Sequence, residues 1–201
     1  MNNLFVGKVA PDFTAKAVMP DNSFENEFNL KHYGAGSKIV LFFYPLDFTF
    51  VCPSEIIAFH NRLGEFAARN TKVVGVSVDS HFSLLAWKNS PFNKGGIENI
   101  QYTLVSDLTK SISTAYNVLN SDGVALRGTF FIDEQFVLRH MLINDLPLGR
   151  SVEEMLRLID AWDHHLQYGE VCPAGWNKGQ EGMSATADGV ADYLNSNADR
   201  L

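Results

Sequence analysis

An α/β fold with a central mixed β-sheet, flanking helices and a C-terminal arm is predicted by three features of this 201-residue sequence. Strand-like and helix-like segments alternate through the first half. Two β-rich runs then follow one another with only a short polar break. From Gly169 onward the chain turns to Gly, Ala, Asn and Asp, with few large apolar side chains.

The elements follow in order. "KIVLFFY" (38–44) is a continuous apolar run closed by Pro45, as expected of a strand buried on both faces. "PSEIIAFHNRLGEFAARN" (53–70) repeats Ile56, Phe59, Leu63 and Phe66 at helical spacing. "KVVGVSVDS" (72–80) reads as a second strand and "HFSLLAWKNS" (81–90) as the helix after it. "TLVSD" and "LTKSISTAYNVL" give a third strand and helix, completing a parallel, helix-wound half. "VALRGTFFID" and "FVLRHMLIN" then form a hairpin with Asp133 and Glu134 near the bend. "SVEEMLRLIDAWDHHLQYG" is a last helix, opened by Ser151 and Glu154 at capping-box spacing. A βαβ half followed by a ββα half is the thioredoxin-like plan. It places one domain over residues 1–168 and the arm over 169–201. In "FVLRHMLIN", Phe136, Leu138 and Leu142 share one face and Val137, Met141 and Ile143 the other. A hairpin strand apolar on both sides needs cover on both, from the chain's own helices or from another chain.

Composition narrows the function. A formal charge of −7 with no block of basic residues argues against nucleic acid or an anionic membrane surface as partner. The opening "MNNLFVGKVAPDF" lacks a signal-peptide pattern, and the longest apolar run, Ile39 to Leu46, is too short for a bilayer. A cytoplasmic location is expected, where thiols stay reduced and disulfides tend to be transient and catalytic.

The chain's two cysteines therefore draw notice: each is written Val-Cys-Pro, in "PLDFTFVCPSE" (45–55) and "EVCPAGW" (170–176). Cys52 falls at the turn between the first buried strand and its helix, with Pro53 suited to a first helical position. Free N–H groups and the helix dipole there favour an anion. The dipole supplies roughly 0.3–1 kcal/mol, at most about 2, or about 1.5 pKa units at ~1.36 kcal/mol each. A reactive thiolate needs more, and Arg127, on a strand that should neighbour the first, is the nominated cation. Thr49 stands one turn before the sulfur, and Pro45, Phe48 and Phe50 would shield it from water. Without such a setting Cys52 is simply a small buried hydrophobe. Cys172, in the Gly-rich arm, has no core to pack.

"PLDFTFVCPSE" resembles the active-site signature of the peroxiredoxins, P-x-x-x-[TS]-x-x-C, filled by Pro45, Thr49 and Cys52. "APDF" (10–13), "SVDS" (77–80), "AWKN" (86–89), "LRGTFFID" (126–133), "LPLGRS" (146–151) and "GEVCPAGW" (169–176) are similar to segments of the typical two-cysteine subgroup, the bacterial alkyl hydroperoxide reductase C group in particular. The resemblance implies a thioredoxin-fold peroxidase domain followed by an arm carrying a second reactive cysteine. It makes Cys52 the peroxidatic cysteine, converted to a sulfenic acid by hydrogen peroxide or an alkyl hydroperoxide. It makes Cys172 the resolving cysteine, which forms a disulfide with Cys52 of another subunit. Thr49 and Arg127 would contact the peroxide and the thiolate, Pro45 would limit solvent, and Glu55 with Arg150 would orient Arg127. No metal, flavin, nicotinamide or other cofactor is implied. The implied partners are thioredoxin or a flavoprotein disulfide reductase as electron donor, and copies of the chain in a homodimer. The doubly apolar strand would pair across that dimer, and segments around "HFSLLAW" would join dimers into a pentamer of dimers.

The chain departs from hyperoxidation-sensitive members at "GGIE" (95–98) and "DYLN" (192–195), where a Gly-Gly-Leu-Gly loop and a Tyr-Phe pair would stand. Rapid resolution of the sulfenate is the expected consequence. A general disulfide exchanger would carry CxxC at the helix start, and none is there. A holdase chaperone, as an overoxidised or high-order assembly, would have no use for the Thr49–Cys52–Arg127 set. His164 and His165, adjacent on a helix, point about 100° apart and cannot easily chelate one ion. His32, His60, His81 and His140 show no ligand spacing with Asp, Glu or Cys and read as surface or packing residues.

Overall fold

The structure is a computed structural model that describes residues 4–200. Its first elements are a hairpin, β1 (Thr14–Val18) and β2 (Phe24–Asn29), and a short helix α1 (Leu30–Tyr33). The apolar run forms β3 (Lys38–Phe43), every residue of which is buried. Then come α2 (Cys52–Asn61), α3 (Leu63–Ala68), β4 (Thr71–Ser77), α4 (His81–Lys88) and β5 (Thr103–Ser106). They are followed by α5 (Ser111–Ala115), β6 (Arg127–Ile132), β7 (Leu138–Asn144), α6 (Val152–Tyr168) and α7 (Ala187–Asn197).

The strands build one seven-stranded sheet in the order β2-β1-β5-β4-β3-β6-β7. β3–β4 and β4–β5 are parallel; the remaining pairs are antiparallel. The parallel centre is buried, as a sheet covered on both faces must be. Side chains alternate across it. Leu41, Phe43, Val74, Val76, Phe130 and Ile132 enter one core cluster. Phe42 points the other way and stacks on Phe59 of α2, ring centroids 4.5 Å apart. Gly75 is required in β4, because a Cβ there would come within 2.8 Å of Leu104 and 2.9 Å of Phe42.

Two sequence expectations are revised, and one hairpin has no counterpart among them. The β1–β2 hairpin carries no apolar alternation to announce it: β2, "FENEFN", is exposed over its first four residues. The helix expected over 53–70 starts at Cys52 and breaks at Arg62, whose φ of −109° and ψ of 9° leave the helical region two residues before Gly64. The helix expected from "LTKSISTAYNVL" shrinks to α5. Asp107 caps it at one end, accepting from the N–H of Ile112 (3.0 Å) and Ser113 (2.6 Å), and Asn117 with φ of +55° turns the chain out at the other.

β7 lies at the sheet edge. A register shift between Phe131 and Ile132 revises the expected faces of this strand: Phe136 and Leu138 enter the core cluster against which Met141 and Ile143 pack, whereas Leu142, opposite Thr129, is 38% exposed. The segment around Val9 covers only the start of the open edge: Gly7 N donates to Leu138 O (2.7 Å) and Leu138 N to Lys8 O (2.9 Å).

By internal contacts the chain divides into two compact units, Met1–Val152 and Glu153–Leu201. The second holds most of α6, with Met155, Leu156 and Ile159 buried, and the segment that carries Cys172 and α7. No helix among the described residues is long and apolar enough to cross a membrane.

Candidate active site

Position follows from register. Ile39 faces Ile132 and Phe42 faces Thr129 in the β3–β6 pair. Extending that ladder brings Arg127 level with the loop that leaves β3 for α2. The loop ends at Val51, the N-cap of α2, and Cys52 and Pro53 form the first helical positions. The thiol of Cys52 thus sits where unpaired N–H groups and the positive end of α2 meet.

Around this sulfur the structure brings together Thr49, Arg127, Glu55 and Arg150. Thr49 Oγ1 donates to Cys52 Sγ at 2.8 Å and also approaches Leu46 O at 2.8 Å. Arg127 Nη1 lies 3.4 Å from Sγ and 2.6 Å from Glu55 Oε2, while its Nε donates to Leu146 O at 2.6 Å. Glu55 in turn accepts from Arg150: Nε and backbone N on Oε1 (2.8 and 3.0 Å) and Nη2 on Oε2 (2.9 Å). Arg150 Nη1 donates to Phe43 O (2.7 Å) and Gly128 O (2.9 Å), and its guanidinium lies over the ring of Phe42 at 5.0 Å.

Two guanidinium groups share one carboxylate in this buried cluster, which leaves one positive charge beside Sγ. A negative charge developing on sulfur would balance it. Buried ions are costly unless paired and hydrogen-bonded, and here Glu55 is held by both arginines, Arg127 by Glu55 and Leu146 O, and Arg150 by Glu55, Phe43 O and Gly128 O. The guanidinium fork of Arg127 is locked by one carbonyl and one carboxylate, so the second N–H of Nη1 aims at the sulfur without further reorganisation.

Cys52 itself is 0% exposed, and Pro45 is buried where the loop leaves β3. The expectation that Phe48 and Phe50 shield the sulfur is revised. Phe50 is 97% exposed and Phe48, at φ of +54°, is half-exposed with its ring 5.7 Å from Trp87 of α4.

A second buried network, unrecognised in the sequence, anchors the loop. Asp47 accepts from Tyr44 Oη (3.0 Å) and from Ser83 Oγ of α4 (2.9 Å), and its own N–H donates to Asp79 Oδ2 (2.9 Å). Asp79 also accepts from Ser77 Oγ at 3.1 Å. Burial, with the neighbouring Asp79 carboxylate adding to it, pushes the Asp47 carboxyl up to about 7. The only signal available was that "PLDF" and "SVDS" each keep an aspartate beside a strand end.

Cys172 belongs to the second unit. It is half-buried, and its Sγ donates to Ala161 O of α6 at 3.4 Å. Burial pushes this thiol up; Arg157 pulls against that shift and Glu170 adds to it. Among the described residues no cluster of three or more His, Cys, Asp or Glu is placed to hold a metal.

The AhpC/TSA family pattern matches residues 6–141, and the C-terminal domain of 1-Cys peroxiredoxin matches residues 161–196. The chain is 50% identical over 198 residues to alkyl hydroperoxide reductase C of Helicobacter pylori, covering 98% of this chain and 100% of that protein. It is 50% identical over 191 residues to peroxiredoxin-1 of Gallus gallus, 94% and 95% of the two chains. Among solved structures it matches the reduced 2-Cys peroxiredoxin of Plasmodium vivax with a TM-score of 0.92 and 54% identity, over 96% of this chain and 99% of that one. With a thioredoxin-like sheet carrying a Thr-x-x-Cys turn against a buried arginine, and relatives matched over nearly their whole length, the chain belongs to the AhpC/TSA family as a typical 2-Cys peroxiredoxin, a thiol peroxidase.

Proposed function

We propose that Cys52 is the peroxidatic cysteine and that Cys172 resolves its oxidised form. The observation that carries this reading is the three-way contact at Cys52 Sγ: a hydroxyl at 2.8 Å, a guanidinium N–H at 3.4 Å and a helix N-terminus behind it. In the first step the Cys52 thiolate attacks one oxygen of a hydroperoxide. The O–O bond breaks, the departing oxygen leaves as water or alcohol after taking a proton, and the sulfur becomes a sulfenic acid. Arg127 faces the charge that grows on the departing oxygen, and Thr49 can donate to the incoming peroxide as it does to Sγ. Glu55 and Arg150 keep Arg127 aimed; Pro45 limits water.

In the second step the thiol of Cys172 from another subunit meets the sulfenic acid. An S–S bond forms and the sulfenic hydroxyl leaves with the thiol proton as water. An external dithiol, thioredoxin or a flavoprotein disulfide reductase, returns both cysteines to thiols. The open edge of β7, with Leu142 exposed beside it, suits pairing with a second copy of the strand. Segments around α4 would join such dimers into a ring of five. Residues 1–168 act as the peroxidase domain, and 169–201 as the arm that delivers Cys172. Leu194, in place of an aromatic residue on α7, is half-exposed and anchors that arm less firmly, favouring rapid resolution.

The test is a pair of variants given hydrogen peroxide and a dithiol reductant. Cys52→Ser should lose peroxide turnover. Cys172→Ser should consume about one equivalent of peroxide and form no Cys52–Cys172 dimer on a non-reducing gel. Retained turnover in the first variant, or a surviving disulfide dimer in the second, contradicts the assignment.

A further inference from the structure

Within the Glu153–Leu201 unit, the segment that carries Cys172 is fastened twice. On one side Val171 and Met183 exchange a pair of backbone hydrogen bonds, each 2.9 Å. On the other, two adjacent histidines of α6 converge on a single residue, Glu170. His164 Nε2 lies 2.8 Å from Glu170 Oε2, and His165 Nδ1 lies 2.7 Å from Glu170 O. Neighbours on a helix point about 100° apart. They reach one residue because His164 takes its carboxylate and His165 its carbonyl.

Two further features show that the latch is built in. The His164 ring packs between Tyr168 and Trp176, with centroids 4.7 and 4.8 Å away. Gly182, one residue before Met183, is bare where the pair sits: a Cβ there would fall 2.1 Å from Glu170 Oε2 and 2.6 Å from His164 Nε2.

We propose that His164 and His165 are positioning residues of the resolving step: by holding Glu170 they retain the Cys172 segment on α6, and the charge of His164 sets how readily it is released. The proposal rests on Cys172 being the resolving thiol. To react, its sulfur must give up Ala161 O and carry Glu170 and Val171 away with it. Imidazole changes charge near neutrality, whereas the carboxylate does not. Protonated His164 forms an ion pair with Glu170; neutral His164 keeps only a hydrogen bond. The segment is therefore held more tightly in acid. The other charged groups near the latch are Glu181 and, on α7, Asp192, which line a cleft of about 310 Å³ shared with Glu170, Arg157, which pairs with Glu154 and donates to Trp176 O, and Lys178, which pairs with Asp160.

The experiment compares wild type, His164→Gln and Gly182→Ala after one equivalent of hydrogen peroxide, following Cys52–Cys172 disulfide formation by rapid quench between pH 5.5 and 8. His164→Gln keeps a neutral hydrogen-bonding side chain; Gly182→Ala pries the pair apart without altering either partner. At pH 6 both variants should form the disulfide about twofold to fivefold faster than wild type, the weight of a partly exposed ion pair. At pH 8 the ratio should fall close to one for His164→Gln and stay above one for Gly182→Ala. A His164→Gln ratio that does not change with pH, or a Gly182→Ala protein with native circular dichroism and the wild-type rate, overturns the latch. A wild-type protein that forms no Cys52–Cys172 disulfide overturns the resolving role of Cys172, and the latch with it.

Discussion

Cys52 accepts a hydrogen bond from a hydroxyl and faces a guanidinium, whereas Cys172 donates one to a carbonyl and is pushed up by burial. The same side chain thus stands in opposite settings, which suits the two roles proposed for it. Around Cys52 a hydroxyl, a guanidinium and a helix N-terminus face the sulfur, and the guanidinium is fixed by the buried ion pair with Glu55. Around Cys172 the sulfur is stored as a thiol on a half-exposed segment held by a few separable contacts. A nucleophile that must meet peroxide on arrival gains from rigidity. A partner that must travel to a sulfenic acid gains from being releasable, since two sulfurs bond only at about 2 Å.

The largest expected effect on this contrast comes from the buried carboxylate that Arg127 and Arg150 share. Glu55→Gln leaves two guanidinium groups with a neutral amide and should cost about 3–5 kcal/mol in urea unfolding. It should also slow peroxide attack, because Arg127 loses the group that aims it. A variant as stable as wild type would mean that the cluster does not hold the site.

Thr49→Val removes the hydroxyl and keeps the shape. Loss of a hydrogen bond to a charged group, about 1.5–3 kcal/mol, predicts single-turnover oxidation of Cys52 slower by roughly tenfold to a hundredfold. An unchanged rate would leave Arg127 and the helix as the only activating groups.

Asp47 gives a pH signature to the loop that holds Cys52. Its folded carboxyl titrates at about 7, up from the ordinary 3.8. The folded state therefore binds this proton more tightly than the unfolded chain. The contribution is complete below about 4 and is lost as pH rises to about 7. Asp47→Asn, uncharged throughout, should gain stability relative to wild type as pH rises across that window, by 1–2 kcal/mol (order of magnitude). A difference that stays constant with pH would remove Asp47 from the account.

The smallest effect concerns Cys172. Its raised titration predicts slow alkylation by iodoacetamide at pH 7 in the folded, reduced protein, with the rate climbing above the ordinary thiol range. Alkylation at neutral pH as fast as in the urea-unfolded chain would place Cys172 on the same footing as an unprotected thiol.

Much of this was legible in sequence, for physical reasons that differ by region. β3 announces itself because a strand buried on both faces must be apolar throughout, and Cys52-Pro53 because proline suits a helix start. β2 stayed hidden since "FENEFN" faces solvent and has no alternation to read. Phe50 was misjudged as a shield: aromatic character signals burial, but only the loop geometry decides direction. Asp47 and Asp79 are 32 residues apart in sequence, and nothing local tells that they meet. His164 and His165 were set aside as poor chelators. That holds for one ion, yet two helix neighbours can still grasp the carboxylate and the carbonyl of a single residue.

The most direct measurement is the single-turnover rate of hydrogen peroxide with the Cys172→Ser protein, compared with the same protein carrying Arg127→Ala. Removal of a preorganised donor of this kind predicts a fall of roughly 10²–10³ with the fold retained by circular dichroism. If the folded double variant reacts at the rate of its parent, the guanidinium at 3.4 Å is only a structural neighbour of Cys52, and the central claim is wrong.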